Sequence, residues 1–269
     1  MAASHGAWAE MPPSNPTAAA LVSPRGPVQG LQRQVIDRIG TAIATGKLVA
    51  GEQIMPEALA TTHGVSRTVI RESLKVLETK GLVTARPRTG TRISPLAVWH
   101  LLDPDVIRWR SAGPDSSRQI EELLTVRGAI EPLAAREAST RATSAKLGDL
   151  DTSLDAMRSA VDSQDWDRFT EADVAFHRAL LSCSGSQIMM QFAEPIEAAL
   201  RVRHRLHLTP AELTTRVVEN HRAIRVAIAE RDPATAESAC RQIVDVAGVE
   251  TMDSLVHGAP PPAQGREAR

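Results

Sequence analysis

Side chains able to hold an ion or an acid recur on apolar helical stripes in the second half of this 269-residue chain. In the segment 166–181, Phe169, Ala172, Phe176, Leu180 and Leu181 mark a face to be buried. Asp173 and His177 share that face, four residues apart. Side chains at i and i+4 stand one turn apart on the same side of a helix, so this pair can chelate one divalent cation. A further imidazole from another helix would complete a facial set, and His221, set among Val217, Ile224 and Ile228, is placed to supply it. Arg127 lies among Ile120, Leu123, Leu124 and Ile130, while Phe192, Ile196 and Leu200 lead into Arg203 and His207. Burying a charge is costly unless it is paired, metal-bound or turned to a polar cavity. Several helices each turning one such group inward therefore predict a shared site in the centre of a bundle. Taken alone, the Asp-His pair reads equally well as a salt bridge in a core.

A different chemistry is written near the N-terminus. Val69, Ile70, Leu74 and Leu77 form one stripe of a helix that Ser66 can cap and Gly81 can stop, and Arg67, Arg71 and Lys75 recur every four residues on another face. Arg at the first turns of a helix suits the major groove, where a guanidinium can grip guanine O6 and N7 and Lys can meet phosphate. Upstream, Leu31, Val35, Ile36, Ile39 and Ile43 predict a helix over 31–45 that ends at Gly46, and a second covers 57–63 before the turn at Gly64. Downstream, 82–86 and 91–94 are short strand-like runs around Pro87-Arg88-Thr89-Gly90, a hairpin carrying Arg86, Arg88 and Arg92. Three helices followed by a hairpin is the order of a winged helix-turn-helix. The competing reading is a solvated basic face beside a surface hairpin.

The charge is divided accordingly. Residues 25–95 carry 11 Lys or Arg against 5 Asp or Glu, a net +6, which leaves the remainder, with 20 against 27, at −7. A basic domain of that size suggests contact with phosphate, and the acidic remainder argues against uniform coating of nucleic acid. Aromatics make up 3% of the chain and Tyr is absent, which disfavours base-stacking platforms for single strands. Hydrophobic residues at 42% and charged residues at 23% exclude wholesale disorder and a membrane-embedded chain. No apolar run reaches the roughly 18 residues of a membrane span, and the N-terminus lacks the pattern of a secretion signal. Cys183 and Cys240 sit in apolar helical segments and read as reduced core residues, so the expected location is the cytoplasm.

The expected architecture is mainly α. A disordered, proline-rich arm covers 1–28, a winged helix-turn-helix 29–94, an apolar connector 95–116, an all-α bundle of six to seven helices 117–257, and a disordered tail 258–269. The connector carries Trp99, Leu101, Leu102, Val106, Ile107 and Trp109, too apolar for a free linker, and should pack between the domains. Breaks in the bundle pattern fall near 141–144, 163–164, 184–186, 208–210 and 232–233.

Val65-Ser66-Arg67-Thr68, Ile70-Arg71-Glu72-Ser73-Leu74, Leu77-Glu78, Gly81-Leu82-Val83 and the wing Gly90, with Gly46-Lys47-Leu48 and Gly51-Glu52 upstream, resemble the GntR family of bacterial transcription regulators. The likeness covers residues 31–94, and the helical domain behind it resembles the FadR subfamily, whose effector domain is called FCD. The resemblance implies operator contacts by Ser66, Arg67, Thr68, Arg71 and Lys75 on the helix and by Arg86, Arg88, Gly90 and Thr91 on the wing. Val69 stands where the family usually has Pro, and the segment 54–60 lacks an Arg often found there.

Asp173-Val174-Ala175-Phe176-His177 and Asn220-His221-Arg222-Ala223-Ile224 resemble two metal-ligand motifs of FCD, but Ile243 replaces the family's last His. The resemblance thus implies a divalent metal such as zinc held by the three ligands Asp173, His177 and His221, or a site that works without metal. That loss, with Trp99 to Trp109 and Glu171-Ala172-Asp173, is similar to the branch of galactonate-operon regulators. The implied effector is a sugar acid, with Arg127 and Arg203 pairing its carboxylate and Asp173, His177 and His221 taking hydroxyls directly or through a metal. The implied assembly is a homodimer on a palindromic double-stranded operator.

Three alternatives accompany this reading. A regulator of the same fold could sense another carboxylate, such as lactate or a dicarboxylate, or an acyl chain. An enzyme could use Asp, His and His around a metal to activate water. No nucleophile motif, phosphate loop or distinct general base supports that, and the basic winged helix would be unexplained, so the expectation is a non-enzyme.

Overall fold

The computed structural model describes residues 27–86, 90–208 and 213–257. The arm and tail expected at 1–28 and 258–269 fall outside these residues except for Pro27 and Val28, which open the first helix. Helix α1 (Pro27–Ala44) thus starts four residues earlier than its apolar stripe, on a proline, the residue whose fixed φ and missing N–H suit a first helical turn. Strand β1 (Gln53–Ile54) and helices α2 (Pro56–His63) and α3 (Arg67–Thr79) follow. Gly64, at φ 64°, makes the left-handed turn between α2 and α3, and Ser66 Oγ accepts from Val69 N–H at 3.3 Å to cap α3.

Strands β2 (Val83–Arg86) and β3 (Gly90–Ile93) form the expected antiparallel hairpin, with Val83 opposite Ile93. The sheet has a third member: β1 pairs with β3, Gln53 opposite Arg92, in the order β1-β3-β2. Two residues are too short a run for alternation to be read from sequence. Ile70, Leu74 and Leu77 of α3 are buried as expected, with Val35, Ile39, Ile43, Ile54, Leu82 and Ile93, in one core. Val69 is only half-buried at its edge.

Helix α4 (Pro104–Arg110), in the apolar connector, belongs to two cores at once. Val106 and Trp109 pack with α1 and α3, whereas Ile107 packs with Ile120, Leu123, Ala199, Val202 and Leu208. Trp109 is 1% exposed, and its indole N–H donates to Asp37 Oδ1 at 3.0 Å. The ring lies so close to α1 that a Cβ on Gly40 would come within 2.6 Å of it, so only glycine admits this contact. Lys80, after α3, reaches Asp103 at 2.8 Å and Asp105 at 3.0 Å, and Asp105 also pairs with Arg33 of α1 and with Arg108. Arg33, Arg108 and Lys80 hold Asp105 at a pKa of about 2, against the upward push of its burial.

The remaining helices are α5 (Ser116–Arg141), α6 (Ser144–Ser163), α7 (Trp166–Cys183), α8 (Gln187–Met190), α9 (Ala193–Arg205), α10 (Thr215–Ala229) and α11 (Pro233–His257). The expected breaks near 141–144, 163–164, 184–186 and 232–233 recur, that at 208–210 falls largely outside the described residues, and one turn, α8, is split from α9 at Gln191 and Phe192. The main core gathers Leu150, Leu154, Met157, Phe169, Phe176, Leu180, Ile224, Ile228 and Ile243 from α6, α7, α10 and α11. Cys183 and Cys240 are buried free thiols, and burial pushes Cys183 up to about 11. No helix of the described residues is long and apolar enough to cross a membrane.

Candidate functional site

Five charged or ionisable groups expected to turn inward line one cleft. Arg127 (α5), Asp173 and His177 (α7), Arg203 (α9) and His221 (α10) surround a space of about 440 Å³, mouth included, closed by Phe169, Leu200, Ile243 and Glu250. Helix periodicity places each polar group on the buried face of its own helix. Their meeting depends on α5, α7, α9, α10 and α11 packing side by side.

Asp173 is the hub. Its Oδ1 lies 3.0 Å from His221 Nε2 and 3.5 Å from His177 Nε2, and the three ligand atoms all stand within 4.8 Å of one another. His221 Nδ1 is 2.7 Å from the Val217 carbonyl, to which it donates one turn back along α10. Its other nitrogen, Nε2, is buried and has no aligned hydrogen-bond partner. Such an orphaned imidazole nitrogen beside a carboxylate fits a cation. With His177 the donor set is one oxygen and two nitrogens, as zinc and similar ions take. Burial alone would raise the pKa of Asp173, but the charge of His177 and the close approach of both imidazoles bring it well below the ordinary range.

Glu131, not singled out in the sequence, completes the arrangement. It is 0% exposed and accepts from Arg127 Nε at 2.6 Å and Nη2 at 3.3 Å. Its Oε2 also lies 2.8 Å from His177 Nδ1, an ion-pair distance without hydrogen-bond alignment. Burial opposes ionisation, yet Arg127 and His177 hold the Glu131 carboxyl at about 2. Burial would likewise lower His177, but Glu131 and Asp173 raise it to about 9. The signal that could have found Glu131 is its i, i+4 spacing from Arg127, which puts it on the same inward-turned side of α5. Which partner it meets there depends on the neighbouring helix.

Arg203 is held differently. Its Nε donates to Thr251 Oγ1 at 3.0 Å and its Nη2 to Glu250 Oε2 at 2.5 Å, both from α11. His207, expected to turn inward after Arg203, instead lies exposed at φ 54°, beyond the end of α9, where the helical stripe no longer applies. Ile243, at the position where the family's last His is expected, lines the cleft.

On the basic domain, Arg67, Thr68, Arg71 and Lys75 are exposed on α3, and Ser66 at its cap, Arg86 on β2 and Gly90 on β3 are exposed as well. Arg67 lies 3.7 Å from Glu57 of α2, a weak pairing with both side chains largely in solvent, and Lys75 pairs with Glu72 at 2.8 Å. Thr91 is half-buried, and Arg92 is committed to the Gly51 carbonyl at 2.9 Å, which ties the wing to the turn before β1. Arg88 lies outside the described residues.

Comparison with known proteins places both halves. Residues 31–93 match the model of the gntR family of bacterial regulatory proteins, and residues 122–246 match the FCD domain. The galactonate operon transcriptional repressor of Escherichia coli (strain K12) is 30% identical over 213 residues, covering 78% of this chain and 92% of that protein. The regulator YieP of the same organism is 30% identical over 202 residues, covering 75% and 83%. Among solved structures, that of Lar, which controls the expression of the Listeria monocytogenes agr system, aligns with a TM-score of 0.61 over 83% of this chain and 97% of that one. At 16% identity it shows the fold alone. The family and these relatives are regulators of transcription, not enzymes. A basic winged helix-turn-helix joined through a two-core connector to an FCD bundle with a charged interior cleft makes this chain a member of the GntR family of DNA-binding transcription regulators.

Proposed function

We propose that this regulator represses genes for the breakdown of a sugar acid, an aldonate such as galactonate or gluconate, and releases its operator when that acid enters the FCD cleft. The observation that carries the reading is the convergence of Arg127, Asp173, His177, Arg203 and His221 on one cleft. Guanidinium groups suit a carboxylate, and a carboxylate with two imidazoles suits hydroxyls. The likeness to a galactonate operon repressor supports the same class. So polar a lining disfavours an acyl chain, which would leave these charges unpaired.

Asp173, His177 and His221 would hold a divalent metal, which would supply a Lewis acid for a ligand's carboxylate and hydroxyl. Glu131 would orient His177 in that set, as carboxylates behind metal-bound imidazoles do. Ile243 leaves the set at three ligands. On DNA, a homodimer would set two α3 helices into successive major grooves of a palindromic operator, with Arg67 and Arg71 reading bases and Lys75, Arg86, Arg88 and Thr91 meeting the backbone. Ser66 would serve through its cap, Thr68 through its exposed hydroxyl, and Gly90 through the turn of the wing.

Helix α4 would offer the route between the two events, because Ile107 packs in the bundle while Val106 and Trp109 pack in the DNA-binding core. Release requires that the acid bind the DNA-free geometry more tightly than the DNA-bound one. The test is a gel shift on DNA upstream of this protein's own gene, titrated with galactonate, gluconate, glucarate and lactate, with and without chelator. Release by an aldonate is the expected result. A shift that no acid disturbs would remove the sugar-acid reading and keep the DNA-binding one.

A further inference from the structure

The two cleft arginines differ in whether they can change partners. Arg127 is 3% exposed and gives two N–H groups to Glu131, which is 0% exposed. A ligand that took Arg127 would strand Glu131 as a buried carboxylate without its guanidinium partner, which is strongly unfavourable. Arg203 is anchored at one corner and exchangeable at another. Its Nε donates to Thr251, whose hydroxyl donates in turn to the Ala247 carbonyl at 2.6 Å, so the guanidinium plane stays fixed without Glu250. Its Nη2 is engaged by Glu250, whose side chain is 33% exposed at the mouth of the cleft. A small rotation carries that carboxylate into water, where its charge is solvated at little cost.

We propose that Arg203, not Arg127, receives the effector's carboxylate, and that Glu250 is a built-in stand-in for it, occupying the Nη2 corner of Arg203 until the ligand displaces it. Arg127 then serves as a fixed counter-charge that keeps Glu131 and His177 in place. The proposal rests on the reading of the cleft as a carboxylate-effector site and names which side chain does the recognising. It also gives the ligand a mechanical consequence, since Glu250 sits on the last turns of α11 and moves outward as the ligand enters.

The experiment is calorimetric titration of the full chain with galactonate, gluconate, lactate and acetate, and with galactitol as an uncharged control. Wild type is compared with Glu250→Gln, Arg203→Lys, Arg203→Met and Arg127→Lys, each checked for an intact helical spectrum. Removing the competing charge should tighten the bound acid roughly five- to tenfold in E250Q, the scale of one partly exposed charge-assisted hydrogen bond. R203M should lose the acid, R203K should retain part of the affinity, and galactitol should not respond to E250Q. If galactonate binds wild type and neither E250Q nor R203M changes its affinity, this proposal is overturned while the sugar-acid reading stands. If galactonate fails but lactate or acetate binds and tightens in E250Q, the sugar-acid reading falls and the role of Arg203 stands. If none of these acids binds either wild type or E250Q, both are overturned.

Discussion

His221 turns a buried nitrogen to Asp173: Nδ1 lies 2.7 Å from the Val217 carbonyl, and Nε2 lies 3.0 Å from Asp173 Oδ1 without an aligned hydrogen bond between them. A cation between that nitrogen and the carboxylate would join them, and either a proton or a metal ion can serve. Protein stripped with chelator should therefore melt several degrees lower than protein given zinc, since a ligand at one hundred times its Kd adds about 2.7 kcal/mol. Asp173→Ala should abolish the difference. Because His177 holds its proton up to about pH 9 without metal, zinc uptake at pH 7 should also release a proton, visible as a buffer-dependent binding enthalpy. Equal melting with and without zinc would assign the bridging role to a proton.

Ile243→His should supply a fourth ligand from α11 and raise zinc affinity at least about tenfold, read by competition with a chromogenic chelator. Unchanged affinity would mean that α11 stands too far from Asp173 to ligate.

Glu131→Gln should be the most damaging single change in the bundle, at about 3–5 kcal/mol in urea denaturation, because it leaves the Arg127 charge buried and unpaired. Replacing both partners with Leu should cost much less than the single change. A double variant as unstable as Glu131→Gln would show that packing volume, not charge, holds this site.

Asp105 links acidity to the domain junction. Its folded pKa of about 2 lies below the ordinary 3.8, so its contribution is fully present above about pH 4 and is lost as the pH falls toward 2. Asp105→Asn should lower stability at pH 7 and flatten the acid limb of the melting temperature between pH 4 and 2. An unchanged limb would move the acid sensitivity elsewhere.

Arg71, exposed on α3 without an ion-pair partner among the described residues, should matter for DNA and not for folding. Arg71→Ala is expected to weaken operator binding by about 1–3 kcal/mol in gel shifts while leaving the melting temperature unchanged. Parallel loss of both would make it a structural residue.

The sequence by itself determined what is local. Apolar spacing, the Ser66 cap, and Gly64 and Gly81 defined α3 and its basic face, because caps and periodicity act within a few residues. The i, i+4 spacing of Asp173 and His177 put two ligands on one face of α7 for the same reason. The tertiary structure decided everything that links distant helices. That Glu131, one turn from Arg127, is the carboxylate behind His177 depends on α5 lying against α7, across 46 residues of chain. The contact of Trp109 with Gly40, the third strand at Gln53, the outward turn of His207 and the claim of Glu250 on Arg203 are of the same kind. Helical periodicity says which face of a helix is buried. Only the packing of one helix on another says which residues meet there, because burial and pairing energies are set by neighbours that the local sequence does not contain.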